Sequence, residues 1–145
     1  MKKIIKLILV ILWMVLIFIF SNQKAEESSK LSDGLIVKVA NIFVDKKLST
    51  EKKEIILEKY TTIVRKTAHF IIYLILGILV INLISEYNVK HLVLISLFIC
   101  TLYSISDEFH QLFIDGRSGE VRDILIDTIG SLFGIISYKV IKHKN

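Results

Sequence analysis

A chain of 145 residues, 53% of them hydrophobic and only 23% charged, with a mean hydropathy of +0.61, is too apolar for a disordered segment or an ordinary soluble domain. Its net charge of +5 and pI near 9.3 do not argue for nucleic acid, because no soluble fold carries the basic residues and the anionic lipid surface is the natural partner of a basic membrane protein. A single cysteine, Cys100, excludes an intrachain disulfide or a thiolate metal cluster, and the lack of proline leaves every helix break to Gly, Asn, Asp and Ser.

A spanning helix needs about 20 mostly apolar residues. Four stretches approach that length, predicting transmembrane helices over 4–20, 67–84, 92–107 and 123–141. The expected fold is all-α: a polytopic membrane protein, a bundle of four transmembrane helices forming one membrane domain over residues 1–145. The first stretch lacks a small-x-small cleavage site around Gln23 and Ala25, so it is expected to stay as an uncleaved anchor. Lys2, Lys3 and Lys6 at one end of the chain and Lys139, Lys142 and Lys144 at the other place both termini in the cytoplasm of a multi-pass cell-membrane protein. The connection over 21–65 is then extracytoplasmic, although its eight lysines oppose the rule and its seven acidic residues count for little in it.

That connection has two amphipathic stretches. Leu35, Ile36, Val39, Ile42 and Phe43 recur at helical spacing. Leu48-Ser49-Thr50 then offers an N-cap to a helix carrying Ile55, Ile56, Tyr60, Ile63 and Val64, which meets no strong breaker before the second span. A helix lying in the outer interface is one reading and a small soluble cap on the bundle is the other.

The polar residues of the spans all fall on one side of the membrane. Ser21, Asn22 and Gln23 end the first span, and Arg65, Lys66 and His69 open the second. Asp107, Glu108 and Gln111 close the third, and Asp123 and Asp127 begin the fourth. At about 100° per residue, Asp123, Asp127, Gly130 and Gly134 share an arc of roughly 60°. Lys66, His69 and Tyr73 share another face, and Ser104, Glu108 and Gln111 a third. A charged side chain at the centre of a spanning helix costs about 2.5 to 3.5 kcal/mol, so such stripes face a bundle interior or a wet cavity. The Gly130-xxx-Gly134 pair lets a neighbouring helix come close, and leaves a homodimer or a partner subunit through that face open.

Two readings of the cluster compete. In one, Arg65, Lys66, Arg117 and Arg122 pair with the four carboxylates and lock the helix ends without chemistry. In the other, the mixture of imidazole, amide, carboxylate, guanidinium and phenol serves a ligand. His69 is as readily a hydrogen-bond donor to a carboxylate, and Tyr73 a packed aromatic with a satisfied hydroxyl. Asp115-Gly116 and Gly119 carry turn chemistry, and Arg117 between those glycines is suited to grip a phosphate or carboxylate through two hydrogen bonds. No nucleophile motif, phosphate loop or His-Glu-x-x-His pattern is present. A divalent cation among Asp107, Glu108, Asp123 and Asp127 is chemically open, but a count of carboxylates assigns none, and no metal or cofactor is expected.

The sequence resembles the VanZ-like family of small membrane proteins. The matching pieces are Phe20-Ser21-Asn22-Gln23, then Arg65-Lys66-Thr67-Ala68-His69-Phe70 with Tyr73, then Asp107-Glu108-Phe109-His110-Gln111 through Gly116-Arg117-Ser118 to Asp123, Asp127, Gly130 and Gly134. Asn22 stands where relatives often have Ser, and Asp115 where they often have Pro, which implies a looser loop before Gly116. The resemblance implies an envelope role, since the name-giving relative is associated with resistance to glycopeptide antibiotics, notably the lipid-tailed teicoplanin. The expected function is binding of an anionic envelope component or lipid-like headgroup in an outward-facing polar pocket. Its ligand-binding residues would be Arg65, Lys66, His69, Tyr73, Asp107, Glu108, Gln111, Arg117, Asp123 and Asp127, with Lys66 and Arg117 gripping the anion. The expected partner is a membrane lipid or cell-wall component, including a lipoglycopeptide, and not nucleic acid. The alternative is a membrane enzyme that modifies a lipid-linked envelope substrate, with His69 or Glu108 as general acid or base. No catalytic residue is assigned beyond that alternative.

Overall fold

A computed structural model describes residues 2–23, 50–117 and 119–144. The Leu35 to Phe43 amphipathic stretch, the Leu48-Ser49 part of the expected N-cap, and Ser118 lie outside them. The described residues are all helical or in turns, with no strand: α1 is Lys2–Ser21, α2 Thr50–Ile84, α3 Leu92–Gln111 and α4 Val121–Lys144. Among the described residues, four segments are long and apolar enough to cross a membrane: Lys2–Ser21, Thr62–Tyr87, Leu92–Gln111 and Val121–His143. The chain is thus an α-helical bundle of the membrane-spanning kind, and each expected span falls inside one of these helices. The third, the shortest by sequence, gains a full turn and carries Glu108 and Gln111 within the helix.

Without proline, the breaks come from backbone conformation. A 3-10 turn over Ser85–Tyr87 follows α2 and ends at Asn88 in the left-handed region, φ 51°. Gly116, φ 75°, turns the chain between α3 and α4. Upstream, no break separates residue 50 from residue 84, so the expected second amphipathic stretch and the second span are one helix.

Packing follows the rule for membrane bundles, with small residues inside and large apolar ones outside. On α3 the buried face is Ser96, Cys100 and Ser104, continued by Asp107, Glu108 and Gln111. Leu94, Phe98, Leu102, Ile105 and Phe109 of the same helix are exposed, as a lipid-facing surface requires. Cys100 is a small buried residue of this face. The apolar core joins Val10 and Ile17 of α1 to Tyr73, Leu76, Val80 and Leu83 of α2 and Cys100 of α3.

Helices α2 and α4 make the most extensive contact, and glycine is the cause. A methyl group at Gly130 would lie 2.5 Å from the carbonyl oxygen of Phe70. At Gly134 it would strike the carbonyl oxygen of Leu74, and at Gly77 that of Ser131. The Ser131 hydroxyl also donates to the Tyr73 carbonyl at 3.2 Å. The glycine stripe is therefore used inside the chain, where it lets α4 lie directly on α2.

Helix α1 is held by directional bonds. The Trp13 indole Nε1 donates to the Ile72 carbonyl at 2.9 Å, and the Tyr103 hydroxyl donates to the Met14 carbonyl at 2.6 Å. At the end of the bundle where α1 begins, Lys6 pairs with Glu86 and bonds the Asn82 carbonyl, while Tyr138 donates to the Asn82 amide oxygen at 3.0 Å. This second polar cluster, opposite the acidic one, was not singled out in the sequence. Asn82, Glu86 and Tyr138 at the tips of apolar runs are its signal.

Candidate functional site

At the other end, α2, α3 and α4 bring their polar stripes together, as the helical arcs of the sequence require. Asp107, Glu108 and Gln111 from α3 and Asp123 and Asp127 from α4 are buried, and Tyr73 and Asp127 are completely so. His69 from α2 faces them, its Nδ1 3.5 Å from Asp127 Oδ1. Ser104 donates to the other Asp127 oxygen at 2.9 Å, so three helices meet on one carboxylate.

Glu108 organises the loop. Its Oε2 accepts the backbone N–H of Glu120 at 3.0 Å and its Oε1 accepts from the Gln111 amide at 3.2 Å. The same amide reaches Asp107 Oδ2 at 3.4 Å. Gly119 seats this loop against the end of α3, because a methyl group there would meet the Glu108 carbonyl oxygen at 2.6 Å. Glu120 in turn begins α4, its carbonyl accepting from the Asp123 N–H at 2.9 Å.

The cations divide into two groups. Lys66 is committed: its ammonium bonds Asp123 at 2.7 Å and Glu120 at 3.4 Å. This is the locking pair foreseen for the helix ends, with Glu120 as a partner that sequence reasoning did not include. Arg122 is exposed on the outer side of α4. Arg117, held in its turn by a backbone bond to the Ile114 carbonyl at 3.1 Å, is half-buried and within electrostatic reach of Asp107, Glu108 and Arg65. Its Nε is buried with no hydrogen-bond partner among the described residues. Burial, and then the like charge of Arg65, lowers its pKa from the ordinary value, and a guanidinium so lowered still carries its charge at neutral pH.

Five further buried polar atoms have no hydrogen-bond partner among the described residues: Ser21 Oγ, His69 Nδ1, Tyr73 OH, Asp107 Oδ1 and Asp127 Oδ1. The expectation that the Tyr73 hydroxyl would be satisfied by packing is not met. Ser21, which ends α1, joins the site as a buried residue although it is not among the expected ligand-binding residues. His110 turns away instead, with its ring 4.7 Å from Phe18 and its Nε2 3.3 Å from the Asn22 side-chain oxygen. The arrangement is a buried polar cluster of acids and one imidazole, with the half-buried guanidinium groups of Arg65 and Arg117 beside it.

The family model described as VanZ/LLP1 matches residues 6–142. No curated protein and no solved structure matches the chain. With nearly its whole length covered, from Lys6 through the recess to Lys142, this chain belongs to the VanZ/LLP1 family.

Proposed function

We propose that this VanZ-family membrane protein binds an anionic envelope component or lipid headgroup at the mouth of the recess, on the extracytoplasmic side, and so changes how a lipid-tailed glycopeptide reaches the cell surface. The observation that carries this reading is Arg117. It is a half-buried guanidinium in a glycine-bounded turn, and its Nε is buried with no hydrogen-bond partner among the described residues. A guanidinium so placed keeps donor capacity for a phosphate or carboxylate. Arg65 adds a second positive charge nearby. Lys66, spent on Asp123 and Glu120, serves the loop that carries Arg117 rather than the anion itself. Phe109 and Phe113, exposed and stacked edge to face at 5.4 Å, supply an apolar border suited to the acyl part of such a ligand.

Arg117→Ala should abolish glycopeptide protection in a strain that depends on this protein while leaving its amount in the membrane unchanged, and Arg117→Lys should restore part of it. Unaltered drug susceptibility in the alanine variant would remove Arg117 from the function. The orientation has its own check. In a Cys100→Ala background, Arg117→Cys should react with a membrane-impermeant maleimide in intact cells. Labelling only after permeabilisation would put the mouth on the cytoplasmic side.

A second reading, acid–base chemistry on a lipid-linked substrate, has the 3.5 Å approach of His69 to Asp127 in its favour. Profiling lipids and wall precursors with and without the protein separates the two. A species gained or lost supports catalysis, whereas an unchanged inventory with altered drug binding supports recognition.

A further inference from the structure

Among the described residues, the acids of the recess outnumber the cations paired with them. Asp107, Glu108 and Asp127 are each at most 3% exposed, and Lys66 is turned to Asp123 and Glu120 rather than to them. One imidazole, that of His69, faces all three. A buried carboxylate without a compensating charge is costly, and the usual remedies are a cationic partner or a metal.

We propose that His69, Asp107 and Glu108 hold a divalent transition-metal cation, with Asp127 as a further oxygen donor. Three observations combine. One ligand atom from each of His69, Asp107 and Glu108 can be chosen so that all lie within 4.8 Å of one another. Bonds of about 2.0–2.2 Å at tetrahedral angles place ligands roughly 3.3–3.6 Å apart, so closure on an ion draws these side chains together by up to about 1.5 Å.

The second observation is independent of the acidic cluster. The Tyr73 hydroxyl, with Tyr73 0% exposed, has no hydrogen-bond partner among the described residues and feels the charges of both Asp107 and Asp127. Such a hydroxyl, one helical turn from His69 on the same face, is placed to donate to a carboxylate of the site or to a water on the ion.

The third is which atoms stand unpaired. His69 Nδ1 and Asp127 Oδ1 face each other at 3.5 Å without a hydrogen bond, Asp107 Oδ1 makes none either, each of the three offers a lone pair, and Glu108 is oriented by Gln111 and the Glu120 N–H. Gln111 and Ser104 likewise fix the second oxygens of Asp107 and Asp127, as outer partners orient metal ligands. A dication with neutral His69 offsets two of the three carboxylate charges. One imidazole among carboxylates favours Mn²⁺ or Zn²⁺ over Ca²⁺ or Mg²⁺. Asp123, a candidate ligand by sequence, is excluded by its bond to Lys66.

This inference does not depend on the anion-binding reading, and the metal alone is the probe. The full chain in a phosphate-free, non-ionic detergent is stripped with chelator, equilibrated separately with Mn²⁺ and Zn²⁺, washed, and analysed for metal. About one ion per chain is expected to remain, and Co²⁺ in its place should give the visible absorption of an imidazole–carboxylate site. His69→Gln and Asp107→Asn should each weaken binding tenfold or more, while Ile129→Val, on the exposed face of α4, retains it. Melting the metal-free proteins shows whether the variants are folded. Less than stoichiometric retention by the wild type, or equal retention by folded His69→Gln and Asp107→Asn, overturns the proposal. If a variant does not fold, the wild-type Co²⁺ spectrum decides, and an aquo-ion spectrum overturns it.

Discussion

Gly134→Val is expected to destabilise the bundle by about 3 kcal/mol, the upper end for forcing volume into a packed interior. The obstacle is what sets the size of the effect. A side chain at Gly134 does not meet a movable rotamer but the carbonyl oxygen of Leu74 and the backbone of α2 around it. Either α4 lifts from α2 or both helices bend, and neither relieves the clash locally. Ile129→Val, on the exposed face of the same helix, provides the control and should change stability little. Unfolding in mixed micelles followed through Trp13 is a suitable measurement, since its indole bonds the Ile72 carbonyl on the very helix that must move. A Gly134→Val protein as stable as the control would mean that the two helices are not in contact along this seam.

Lys66→Met is the second large effect expected. The ammonium holds Asp123, whose side chain is only 13% exposed, and Glu120, which is considerably more open. Removing one partner leaves a largely buried carboxylate without its cation, a loss of about 2 kcal/mol after allowance for the pair's partial exposure. Lys66→Met with Asp123→Leu should recover most of that loss, because both charges leave together. The functional consequence differs from the stability one. Glu120 supplies the N–H that Glu108 accepts and lies three residues from Arg117, so freeing Lys66 loosens the turn at the mouth. The double variant should therefore be stable yet still deficient in glycopeptide protection. Full protection in the double variant would confine Lys66 to a role in stability, and a neutral single variant would show that the pair contributes nothing.

Helix periodicity made much of the site legible in the sequence. The alternating four- and three-residue spacing of Asp123, Asp127, Gly130 and Gly134 fixes one face of α4 whatever packs on it, and Lys66, His69 and Tyr73 do the same for α2. Partner choice was not legible. Any of four cations could have met any of four carboxylates, and only the relative heights of α2 and α4 decide that Lys66 takes Asp123 while Arg117 stays apart. Glu120 escaped because a residue between a turn and a helix has no periodicity to declare its direction. Trp13 and Tyr103 escaped for another reason: their polar atoms bond backbone carbonyls, which every residue has, so no complementary side chain marks the contact. The glycine pair announced a close neighbour but not its identity, which the fold assigns to α2 of the same chain.

Backbone laid directly on backbone at Gly77, Gly130 and Gly134 also has a mechanical meaning. With no long side chains between them to act as bearings, α2 and α4 cannot slide past one another, and they form a stiff double rod with the recess fixed at one tip. Any breathing that admits a ligand must therefore come from α1 and α3, which lean on that rod through bonds such as Trp13 to Ile72 and Ser104 to Asp127 and a narrow apolar strip.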